Sequence, residues 1–152
     1  MTFIAFIIGF ALIVALGTAH HFGMLWILRM TPHAEHTGHK AVLFTFVGLL
    51  TLHTSEILAF AGVFALLLQF EALGAFGGSY RGTWADLIYF SGINFVTLGF
   101  TDIDTIGPLR LIGMFQSLGG FMVLTWSATL IFSVSGTAWH EGGYEEDEAS
   151  DR

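Results

Sequence analysis

Histidine and glutamate occur in this chain where apolar sequence surrounds them. His53 and Glu56 stand three residues apart and so share one face of a helix. His20 and His21 interrupt a second apolar stretch. Ionisable groups at membrane depth are costly unless paired. Three chemistries fit these four residues. The first is an interhelical hydrogen-bond clasp, with Glu56 neutral or paired with a histidine. The second is proton sensing, because imidazole titrates near neutral pH. The third is a metal site, whose nitrogen and oxygen ligands suit zinc. Counted from Arg29 and Lys40, the two groups lie about 13 Å and 20 Å along their helices, so they meet if the helices slide by a turn. A further triplet, His33, His36 and His39, is spaced i, i+3, i+6 with Glu35 beside it. It reads as a solvated turn, with metal or pH sensing as the sharper alternative.

The elements that position these groups belong to a membrane protein. Of the 152 residues, 54% are hydrophobic and only 11% are charged, and mean hydropathy is +0.72. A helix needs about 20 apolar residues to span a bilayer. Three segments qualify, roughly 2–28, 41–70 and 109–135, which predicts an all-α architecture. The first reads as a span rather than a cleaved secretory signal: it has no basic leading region, and the apolar run resumes after the histidines as Phe22–Leu28. The absence of cysteine excludes disulfides and thiolate metal sites. Arg29 and Lys40 bracket the first connection and favour a cytoplasmic side for it. The N-terminus is then outside, segment 71–108 is external, and the C-terminus is cytoplasmic in the cell (inner) membrane. Arg81 and Arg110 fall on the opposite side, so the rule gives only a partial vote.

The chain divides into an accessory helix (1–29), a His-rich cytoplasmic loop (30–40), a central unit (41–136) and an acidic tail (137–152). Pro32 and Gly38 punctuate the loop. Gly74, Gly77 and Gly78 mark a flexible outer turret. Thr83 followed by Asp86 is close to a capping box, with Asp in place of the usual Glu. The helix it opens, about 84–96, is only about 20 Å long and cannot span. A short helix, then glycine-containing backbone, then a full span is the pattern of a re-entrant loop. Such backbone survives at membrane depth only where protein or a water-filled cavity surrounds it. Glu145–Arg152 is too polar to pack and reads as a solvated, disordered tail.

Between residues 89 and 110 the chain carries Tyr89-Phe90, then Thr97-Leu98-Gly99-Phe100-Thr101-Asp102, then Pro108 and Arg110. This run resembles the pore loop of the potassium-channel superfamily, and the likeness extends over roughly 41–136. The resemblance implies a pore helix, a selectivity filter at Thr97, Leu98, Gly99, Phe100, Thr101 and Asp102, and an inner helix with a gating hinge at Gly119 and Gly120. It also implies that Tyr89 and Phe90 brace the filter. A permeating ion sheds water and takes carbonyl and threonine oxygens instead, supplied by four chains. Two departures stand out. Phe100 replaces a tyrosine and keeps its ring. Thr101 replaces a glycine at a position where the family uses backbone that β-branched residues avoid. The upper filter is therefore expected to differ in shape and to discriminate K+ from Na+ less strictly. Ile93 and Val96 replace polar residues often found behind the filter.

The expectation is a homotetrameric cation channel, with three spans, a re-entrant pore helix and a filter loop in each chain. It conducts K+, and Na+ where selectivity is relaxed; it is not an enzyme and needs no resident cofactor. Its partners are membrane lipids, monovalent cations and copies of itself, not nucleic acid. A different class of reading makes the chain a membrane metal- or haem-binding protein, or a metal transporter, using His20, His21, His53 and Glu56.

Overall fold

The computed structural model describes residues 1–32 and 34–141, apart from the side chains of 34–37, 140 and 141. Four helices dominate: α1 (Thr2–Met30), α2 (Ala34–Leu67), α3 (Trp84–Phe95) and α4 (Leu109–Glu141). Two short strands, β1 (Ala75–Gly78) and β2 (Ile103–Ile106), flank α3. Within α1, α2 and α4, Thr2–Met30, Gly38–Leu67 and Leu109–Trp139 are each long and apolar enough to cross a membrane. The chain is thus a mostly helical, multi-pass membrane protein with three spans.

Local sequence explains the breaks. No Asp, Glu, Lys or Arg occurs in α1 before Arg29, which stands in the last turn where the helix dipole favours a cation. Pro32 restricts the residue before it to extended backbone. Thr31 adopts φ −64° and ψ 126°, and its amide caps the carbonyls of Ile27 and Leu28. Beyond the proline only Gly38 opposes helix, at a modest cost that packing absorbs. The connection is therefore shorter than expected: α2 begins at Ala34 rather than 41, so most of the expected His-rich loop is helical. α4 likewise runs past 135 to Glu141. His33, the side chain of His36 and the tail from 142 onward lie outside the described residues.

α3 has 12 residues, about 18 Å of helix, against a hydrocarbon core of about 30 Å. It enters and leaves on one face of the membrane domain. The segment before α3 differs from the flexible turret expected of Gly74, Gly77 and Gly78. Residues 75–78 pair antiparallel with 103–106, Ala75 opposite Ile106 and Gly78 opposite Ile103. The pairing ties the chain entering α3 to the chain leaving toward α4. Phe76 anchors it, with ring centroids 4.4 Å from Phe90 and 5.5 Å from Phe64.

The main core lies where α2, α3 and α4 meet, around Phe60, Phe64, Phe90, Phe95, Leu109 and Ile112. α1 joins chiefly along α4, where Phe6 and Phe115 meet edge to face at 5.0 Å. A second cluster, Met24, Ile27, Leu49 and Leu130, fastens the other end of the bundle. Large apolar side chains such as Phe3, Phe10, Trp26, Phe46 and Phe132 face outward. That is the surface a helix presents to lipid, where packing rather than water exclusion holds helices together.

Candidate functional site

The segment between α3 and β2 is held by hydrogen bonds at both ends. At the start of α3, the Asp86 amide donates to Thr83 Oγ1 at 3.1 Å, and the Thr83 amide returns a bond to Asp86 Oδ2 at 3.2 Å. The expected capping box is therefore complete. The Arg81 amide adds a bond to the same oxygen at 2.9 Å. These backbone donors, Arg81 first and Thr83 second, hold the Asp86 carboxyl below its ordinary range. Nearby, burial and then the charge of Asp86 push the Tyr80 phenol up.

At the other end, α3 closes on Thr97. Its amide donates to the Asn94 carbonyl at 3.0 Å, and the Leu98 amide donates to the Ile93 carbonyl at 3.1 Å. This pair of bonds terminates a helix on one left-handed residue, a position that usually belongs to glycine. Here φ is +58° at Thr97, the non-glycine residue with positive φ among the described residues. An L-residue in that conformation costs about 1–2 kcal/mol. Gly99 follows at φ +70°.

The upper part of the segment is built differently. Thr101 avoids positive φ, and its hydroxyl accepts from the Ile103 amide at 3.1 Å. The Asp102 carbonyl accepts from Ser79, from its amide at 2.8 Å and its hydroxyl at 3.0 Å. The Tyr89 hydroxyl reaches from α3 to donate to the Phe100 carbonyl at 3.3 Å. Residues 97–102 thus form a braced loop at the surface of one chain, with Leu98 58% and Phe100 84% exposed.

A polar network that sequence reading did not single out stands behind this loop. Gln116 of α4 donates through Nε2 to the Ser91 carbonyl at 3.1 Å and hydroxyl at 2.7 Å, and the Ser91 hydroxyl donates to the Ile57 carbonyl at 2.8 Å. Asn94 bonds the Phe90 carbonyl at 2.9 Å, and Ser117 donates to Asn94 at 3.4 Å. Three helices are linked by groups that would be expensive unpaired in lipid. The available signal was their polarity inside apolar segments. Gln116 Oε1 is buried without a partner among the described residues.

Gly119 and Gly120 lie inside an unbroken stretch of α4. At Gly120 a side chain would strike the Phe95 carbonyl at the end of α3, and at Gly119 it would meet Ile13 and Leu16 of α1. The absence of a side chain at Gly120 lets α4 touch the backbone that leads into residues 97–102.

Of the four intramembrane groups, His20, His53 and Glu56 come together and His21 does not. His20 Nδ1 lies 2.9 Å from Glu56 Oε1, and His53 Nδ1 lies 3.0 Å from Glu56 Oε2. The imidazole rings stack at 5.4 Å. Their exposures are 0% for His20, 14% for His53 and 6% for Glu56. Ser127 of α4 lies 3.3 Å from His20 Nε2, so α1, α2 and α4 share the cluster. His21 turns away and stacks on Trp126 at 5.6 Å, and His39 is exposed.

A family model described as an ion channel matches residues 52–135, from the middle of α2 through most of α4 and just over half of the chain. Comparison with curated proteins gives no match, and neither does comparison with solved structures.

Proposed function

The chain belongs to the ion-channel family, and from that premise we propose a homotetrameric channel in which residues 97–102 of four copies line one axial passage for monovalent cations. The observation that carries this reading is the loop itself: carbonyl-rich backbone, exposed on one chain yet held at Ile93, Asn94, Ser79 and Tyr89. A cation entering the passage exchanges its water for carbonyl oxygens and the Thr97 hydroxyl. In that loop Thr97 and Gly99 stand at positive φ on either side of Leu98. The C-terminal end of α3 adds partial negative charge beneath it.

K+ is the principal ion. The different backbone at Thr101 relaxes exclusion of Na+, so discrimination falls short of strict. K+ and Na+ are the cargo, and no resident cofactor takes part. Opening bends α4 at Gly119–Gly120. The channel lies in the cell (inner) membrane with its N-terminus outside and its C-terminus in the cytoplasm. Arg29 and Lys40 then bracket the cytoplasmic connection, and the strand pair and Asp102 face outward.

The test is cation uptake by liposomes containing the purified protein, with its oligomeric mass measured in the same detergent. K+ uptake above protein-free liposomes, by a particle of four chains, is the expected result. A monomer, or uptake indistinguishable from the control, overturns the reading.

A further inference from the structure

We propose that His20, His53 and Glu56 form a binding site for a divalent transition-metal ion of the zinc type, with Ser127 as its positioning residue. This inference stands apart from conduction and does not rest on it. One ligand atom from each of the three residues lies within 4.8 Å of the other two. Ligands around a four-coordinate zinc lie about 3.4 Å apart, given bonds of about 2.0–2.1 Å. A modest closing of side chains around the Glu56 carboxylate, to which both Nδ1 atoms already turn, brings the set to that spacing.

Two histidines and one carboxylate are a zinc ligand set that leaves the fourth position for water. Beside the cluster, Glu56 also borders an open apolar groove of about 220 Å³ between α1 and α2, lined by Leu12, Leu16, Phe60 and Val63. Metal sites inside helical bundles are built from Glu and His at i, i+3 on one helix with ligands from facing helices, and His53 and Glu56 have that spacing in the opposite order. Here α2 supplies the pair and α1 supplies His20.

Ser127 makes the arrangement more than a clasp. Before metal enters, His20 Nδ1–H donates to Glu56, and the serine hydroxyl can donate to Nε2. To ligate through Nδ1, the imidazole must carry its proton on Nε2, and Ser127 then accepts it. One rotating hydroxyl serves both tautomers, as a partner behind a metal-bound histidine does. Charge also favours the site. Glu56 and a bound hydroxide neutralise a divalent ion, which lowers the cost of holding it at this depth.

Co2+ is the probe, since four-coordinate Co2+ absorbs in the visible and the chain has no cysteine to supply other bands. The full-length protein is purified in detergent with His33, His36 and His39 replaced by Gln, and titrated with Co2+. We expect one Co2+ per chain, displaced by Zn2+, with the band lost in His53→Gln and Glu56→Gln and retained in His21→Ala. Ser127→Ala, which removes no ligand and keeps the helices, should weaken binding about 10- to 100-fold. No visible band in the parent protein, or a band that survives His53→Gln, overturns the site. Unchanged affinity in Ser127→Ala removes the role assigned to the serine.

Discussion

The Leu98 amide donates to the Ile93 carbonyl at 3.1 Å, and this bond folds the chain over Thr97 in a left-handed conformation. Glycine would take that place without strain, so a threonine there carries a conformational penalty. Strain of this kind concentrates at functional positions, and the proposed role of the Thr97 hydroxyl in coordinating a cation gives the threonine a use. Thr97→Gly should therefore leave stability unchanged or raise it by about 1 kcal/mol, while lowering cation selectivity. Thr97→Ser should keep selectivity. Thermal melts paired with flux measurements check both halves, and a Thr97→Gly protein with undiminished selectivity would remove the explanation.

Gly120 touches the Phe95 carbonyl, so Gly120→Ala forces α4 away from the end of α3. The expected loss is about 1–3 kcal/mol from overpacking, read in thermal melts. Gly136→Ala, at a position in α4 with open space, should instead be neutral or mildly stabilising because alanine favours helix. Equal effects at the two sites would mean that contact with Phe95 does not set the position of α4.

Asp86 gives a pH dependence with a defined sign. Its folded carboxyl is more acidic than in the unfolded chain because the Arg81 and Thr83 amides bond the charged form. The stabilisation is fully present above the unfolded value and is lost as pH falls through the lower folded value. Melting curves from neutrality into strong acid should show this loss in the wild type, and less of it in Asp86→Asn. Thr83→Ala removes the reciprocal cap and should destabilise by about 1 kcal/mol at neutral pH.

Thr101 holds the Ile103 amide through its hydroxyl and keeps φ out of the left-handed region. Thr101→Gly frees the backbone to adopt that conformation and removes one hydrogen bond, at about 1 kcal/mol. Preference for K+ over Na+ should rise, as read by competitive flux. Unaltered preference would separate Thr101 from selectivity.

Spans, the short α3 and its cap were legible because hydropathy, length and the Thr83–Asp86 spacing are local signals. The meeting of His53 and Glu56 followed from helical periodicity, and that of His20 from similar depth on a neighbouring helix. His21 was indistinguishable from His20 by depth, because one residue along α1 turns the side chain about 100° toward Trp126. The β1–β2 pair escaped notice because each strand has four residues, two of them glycine in β1, and its register depends on a partner 25 or more positions away. Threonine at 101 was expected to depart from the left-handed backbone the family uses there, and Thr101 has no positive φ. The left-handed Thr97 had no such signal, because it follows from the hydrogen bonds that close α3.

The most direct measurement is single-channel recording in planar bilayers, with K+ on one side and Na+ on the other, comparing wild type with Gly99→Ala. Among the described residues, an added Cβ at Gly99 meets nothing within 4 Å beyond its two chain neighbours, so the fold is kept, while φ +70° strains by about 1–2 kcal/mol and the loop changes shape. The expected result is cation-selective currents in the wild type, reversing toward the K+ equilibrium potential, and their loss or loss of selectivity in Gly99→Ala; these follow if residues 97–102 line the passage. Wild-type bilayers without current, or identical currents in the two proteins, would contradict it.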